Sequence, residues 1–94
     1  MATLKILGGF TGNDIELCRT TNHKAGNLTV KALLDASIPF TKNAKRISYF
    51  KREQYDGAEV MWVITVNPHR YGQARRVIDH LDSAYRRRLV LSNF

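Results

Sequence analysis

The run Val60-Met61-Trp62-Val63-Ile64-Thr65-Val66 constrains the fold of this chain more than any other segment. It is rich in β-branched residues and carries one large aromatic ring, which suits a pleated strand packed on both faces. It is too short for a membrane-spanning helix, which needs about 20 apolar residues. The run therefore reads as a central strand. Just before it stands Asp56-Gly57, a pair that tolerates the positive φ angles of a type I′ turn. Residues 45–53 and 58–66 are accordingly expected to form a hairpin.

With Asp56-Gly57 as a two-residue loop, Tyr55 opposes Ala58, and residues directly opposite share a face of the sheet. Val60, Trp62, Ile64 and Val66 then lie with Glu53, Lys51, Tyr49 and Ile47, on the side expected to meet helices. The other side carries Arg46, Phe50, Arg52, Met61 and Val63. A single helical layer would leave that side open.

Further elements follow from period and punctuation. Leu4, Ile6 and Phe10 alternate with polar or small residues, so residues 3–10 read as a strand that bends at Gly8-Gly9. Thr11-Gly12-Asn13-Asp14 is a turn cluster, and residues 15–20 alternate as a second short strand. The first twenty residues thus read as a hairpin or as one interrupted strand. His23 to Asn27 read as a loop, with Asn27 capping a helix whose apolar face is Val30, Leu33, Leu34 and Ile38. Pro39 ends it. A second helix is expected from about Pro68 to Arg88, capped by Asn67, with Tyr71, Ala74, Ile78, Leu81 and Tyr85 as its buried stripe. Leu89-Val90-Leu91 suits a short closing strand.

This order of elements resembles the ferredoxin-like βαββαβ arrangement, an α+β fold with two helices on one face of an antiparallel sheet. The possible addition is an N-terminal hairpin strand. The arrangement hosts many unrelated functions, so it implies a fold and no activity. At 94 residues the chain fits one compact α+β domain spanning residues 1–94. RNA-recognition domains share the element order but place aromatic rings on the open face of the third strand. Here those positions hold Glu59, Met61 and Val63, so that family is not assigned.

Charge is where composition bears on function. The formal charge is +7, and residues 41–94 carry +6 of it. Such asymmetry favours a polyanionic partner or an acidic protein surface. On the last helix, Arg75 with Asp79 and Asp82 with Arg86 are spaced as i,i+4 ion pairs. Arg76, His80, Ser83 and Arg87 form a separate stripe that holds no acid. The start, Met1-Ala2-Thr3-Leu4-Lys5, lacks the apolar core of a signal peptide. The single cysteine, Cys18, reads as a small buried hydrophobe. A cytoplasmic protein with no membrane partner is the expectation.

Catalytic chemistry finds no foothold in the sequence. His23, His69 and His80 lack metal-ligand spacing, so no metal site is expected. Gly8-Gly9-Phe10-Thr11-Gly12 lacks both the following helix and the Gly-Lys-Ser/Thr of a phosphate loop. No constellation meets the requirements of an active site, so neither an enzyme nor a cofactor is expected.

The sequence thus points to a small non-catalytic basic binding protein. Phosphate contacts would come from Lys42, Lys45, Arg46, Arg52, Arg70, Arg76 and Arg87, with Phe50 stacking on bases of DNA or RNA. The alternative is a protein-interaction module, an adaptor or an inhibitor of the kind that phages and mobile elements encode. It would use Phe50, Met61 and Val63 as the interface to a protein partner or within a homodimer. A small-molecule sensor holding its ligand between two subunits is a third reading.

Overall fold

The computed structural model describes residues 3–6 and 14–91. Strands β1 (Thr3–Ile6), β2 (Ile15–Thr20), β3 (Phe40–Arg46), β4 (Val60–Val66) and β5 (Val90–Leu91) form one sheet in the order β1-β3-β4-β2-β5. Every adjacent pair is antiparallel. Helices α1 (His23–Asp35), α2 (Tyr71–Asp79) and α3 (Ser83–Arg86) pack on one face. The protein is an α+β domain with the Val60–Val66 run in the middle of its sheet, as its composition requires.

The main core lies between sheet and helices. Phe40, Ile64 and Val66 from the strands meet Ala25 and Leu33 of α1 and Ala74 and Ile78 of α2. Strand β2 contributes both Leu17 and Cys18, which a regular strand could not do because adjacent side chains point to opposite faces. A bulge between Glu16 and Cys18 turns both inward.

Several expectations are corrected. The first strand does not form a hairpin with the second: β1 pairs with β3, while β2 lies on the far side of β4. The bend at Gly8-Gly9 and the turn cluster at residues 11–13 fall outside the described residues. The first helix starts before Asn27. Its cap is Asn22, whose Oδ1 accepts from Ala25 N at 2.8 Å. It ends before Pro39, through Ser37 in the left-handed region at φ 57°. Ser37 N donates to Leu34 O and Ile38 N to Leu33 O, each at 3.0 Å, which closes the orphan carbonyls of the last turn.

The long C-terminal helix is broken. Asn67 caps a 3-10 turn at Pro68–Arg70, accepting from His69 N at 2.9 Å, and α2 follows. The helix then stops at His80 and restarts as α3, because Asp82 Oδ1 accepts from Ala84 N at 2.9 Å. A short acidic side chain that caps its own backbone competes with helix continuation. Asp82 therefore makes a cap where an ion pair with Arg86 was expected.

The largest correction concerns the hairpin. Strand β3 starts at Phe40, and Val60 faces Arg46 instead of Glu53, a slide of seven residues. The expected register would have set Glu53 and Lys51 among Val60, Trp62 and Ile64 beneath the helices, a costly burial of charge. The observed register brings fully buried Phe40 opposite Val66. The surplus residues form a 3-10 segment, Tyr49–Tyr55, between the two strands. Asp56 and Gly57 close it with φ of 55° and 81°. The pair adopts the left-handed geometry its composition favours, but it terminates a helical segment where a two-residue hairpin turn was expected.

Candidate nucleic-acid interface

The 3-10 segment decides what the second face of the sheet can do. At three residues per turn, Tyr49, Arg52 and Tyr55 align in one row. Tyr55 at the end of that row packs with Ala58 against Ile47, Met61 and Val63. Met61 and Val63 are consequently 7% and 4% exposed. The expected open patch of Arg46, Phe50, Arg52, Met61 and Val63 is therefore not assembled. Met61 and Val63 are a second small core, and Arg46 lies opposite Val60 on the helix-side face. Elsewhere on the second face Arg19 pairs with Glu16, with Nη2 to Oε1 at 2.6 Å and Nε to Oε2 at 2.9 Å. This bidentate contact holds the Arg19 pKa above its ordinary value and cancels its charge locally.

What the segment covers with Tyr55 it displays with its other residues. Phe50 is 90% exposed and Tyr49 76%. Their rings stand edge to face, 5.9 Å apart at 85°. The Arg52 guanidinium lies 5.7 Å from the Tyr49 ring centroid, within cation–π range. Tyr49, Phe50, Arg52 and Glu53 line an open depression with Asp56 and Gly57. Lys45, Arg46 and Lys51 are exposed beside it in the chain.

A second cluster borders the same end of the sheet on the helix side. Trp62 faces Thr20 on one neighbour strand and Ala44 on the other. Lys42 Nζ sits 4.4 Å from its ring centroid and donates to Asn27 Oδ1 at 3.1 Å. The His23 ring is 5.7 Å from Trp62. Burial lowers the Lys42 pKa. The N-terminal turn of α1 lies over this row, and Lys24 Nζ stands 5.5 Å above the Tyr85 ring of α3. The Thr20 hydroxyl donates to Arg88 O at 2.7 Å, which pins the end of α3 to the same row.

Of the residues singled out from sequence, Lys42, Lys45, Arg46, Phe50 and Arg52 lie on β3 and the segment that follows it, toward the Trp62 end of the sheet, while the Arg87 Nε donates to Ser83 O at 3.3 Å at the end of α3. Arg70 is elsewhere: its Nη2 donates to Ser37 O at 3.3 Å beyond the C-terminus of α1. Arg76 shares a groove with Arg70, Ala36 and Ile38. The expected stripe through Arg76, His80, Ser83 and Arg87 is interrupted by the break before α3, and His80 Nδ1 lies 2.7 Å from Arg76 O. Sequence reasoning missed Tyr49, His23, Lys24 and Lys51. Tyr49 was assigned to the buried face by the displaced register, and the two α1 residues were read as loop.

Cys18 is fully buried, and its thiol is pushed up to about 12, first by burial and then by Glu16. That environment suits packing and opposes nucleophilic chemistry. Among the described residues no three His, Cys, Asp or Glu side chains gather as a metal site, and no helix is long and apolar enough to cross a membrane. No family model matches the chain, nor does any curated protein or solved structure.

Proposed function

We propose that the protein is a non-catalytic binder of nucleic acid that holds phosphates at the Trp62 end of its sheet. The observation that carries this reading is the exposed Tyr49–Phe50 pair on a segment bracketed by Lys45, Arg46, Lys51 and Arg52. Cations set around aromatic rings supply both kinds of contact that a polynucleotide offers, its charged backbone and its flat bases. Lys24 and Lys42 extend the positive potential across the helix side of the same end.

A polarisation titration of labelled DNA and RNA tests the reading. With about four phosphates neutralised, log affinity falls against log salt with a slope of about −3 to −4. Arg46→Ala and Arg52→Ala each reduce that slope by about one unit. Arg70→Ala and Arg76→Ala, away from this end, leave it nearly unchanged. Affinity no tighter than about millimolar at roughly 50 mM salt rejects the proposal. The exposed rings would then belong to an interface with an acidic protein surface or a second copy of the chain.

A further inference from the structure

Resting on that reading, we infer that the preferred ligand is unpaired single-stranded nucleic acid, with bases stacked on Tyr49 and Phe50 at the tip of the β3–β4 connection. The rings are perpendicular and 5.9 Å apart, so they cannot enter one base step together as a parallel pair. A base laid flat on one ring meets the edge of the other, which is the geometry of a cradle for splayed bases. In a duplex the base faces are already occupied by stacking, and opening a step costs free energy that an unpaired strand does not demand.

The tip is held firmly enough to act as a platform. Tyr55, at the far end of the row that begins with Tyr49, is packed on Ile47, Met61 and Val63. Gly57 N donates to Arg52 O at 2.7 Å and Ala58 N to Tyr55 O at 3.0 Å, which fixes the return of the chain. Arg52 provides the matching phosphate ligand. Its Nε is buried without a hydrogen-bond partner among the described residues, and the guanidinium packs near the Tyr49 ring. Swinging outward onto a backbone phosphate satisfies that donor. Every base has a π-face, so the site tolerates sequence.

The test compares a labelled oligothymidylate of about twelve nucleotides with the matched duplex, a length within the usual range for one such module. The single strand binds about tenfold more tightly. Phe50→Ala and Tyr49→Ala each weaken single-strand binding roughly five- to 150-fold. They leave duplex binding and the salt slope nearly unchanged, and Phe50→Trp retains affinity. Both side chains are exposed, so matching thermal unfolding confirms that the variants fold. Equal weakening of both ligands, or weakening of neither, overturns the single-strand inference while phosphate binding stands. Binding of neither ligand by the wild-type chain overturns this inference together with the proposed function.

Discussion

Gly26→Ala tests the start of α1, on which the helix-side half of the candidate interface is built. Gly26 is buried in the first turn of that helix, above Thr20 and Trp62. An added Cβ would stand 3.5 Å from Thr20 Cγ2 and 4.0 Å from Trp62 Cβ. Both are ordinary van der Waals distances, so the methyl group gains contact without displacing anything. Glycine inside a helix is about 0.8–1.0 kcal/mol less favourable than alanine. Position near the N-terminus trims this gain, and burial of the new methyl adds to it, so a net stabilisation of about 1 kcal/mol follows. For a domain of this size that raises Tm by roughly 4–8 °C. The assay is far-UV circular dichroism melting, supported by the midpoint of urea unfolding. Gly57→Ala is the contrast: it too has open space around its Cβ, but its φ of 81° makes the substitution strained, at about 1–2 kcal/mol. If Gly26→Ala destabilises as Gly57→Ala does, residues 23–27 are not helical, and the Asn22 cap is wrong.

Two further outcomes follow from the same packing. Cys18 should resist alkylation in the native state and react on unfolding, since its pKa is raised from 9.0 to about 12. Because the folded state favours the neutral thiol, its contribution to stability is complete below about pH 9 and is lost as pH rises from there toward 12. Cys18→Ala should lack that part of the alkaline decline, and identical alkaline unfolding profiles would contradict the burial. Lys24→Glu should place an acid in the first turn of α1, which has none. A favourable dipole interaction of about 0.3–1 kcal/mol replaces an unfavourable one, against the loss of a contact with Tyr85 of about 0.5–1 kcal/mol. Urea unfolding should show stability kept or slightly raised while nucleic-acid affinity falls several-fold, and a parallel fall in both would make Lys24 merely structural.

The elements were legible where one local force dominates. The Val60–Val66 run is a strand, and its even-numbered residues face the helices, with Ile64 and Val66 fully buried in that core. Positive φ at Asp56 and Gly57 was also legible from composition. Register was not, because it is a tertiary quantity. It was set by Phe40, which had to reach the helix core immediately after Pro39, and by the cost of burying Lys51 and Glu53. The helix break at Asp82 lies below the resolution of periodicity, since Leu81 and Tyr85 keep the spacing of one continuous apolar stripe through it.

The displaced register moves the candidate chemistry without abolishing it. Had β3 and β4 run on into a two-residue turn, Phe50 would have stood on a flat sheet face beside Met61 and Val63, with bases bound across strands. Folding the surplus residues into a 3-10 segment uses one aromatic, Tyr55, to bury Met61 and Val63, and frees two others at the edge. The flat face that remains holds the compensated Arg19–Glu16 pair. Lys45, Arg46, Lys51 and Arg52 stand instead where the chain reverses, interspersed with Glu53, Asp56 and Glu59, and Lys24 stands where α1 begins. Positive charge in the first turn of a helix costs stability, and Lys24 occupies that turn with no acid in it. Stability alone favours the opposite sign there, whereas the proposed attraction of a polyanion to that end of the sheet calls for the sign observed.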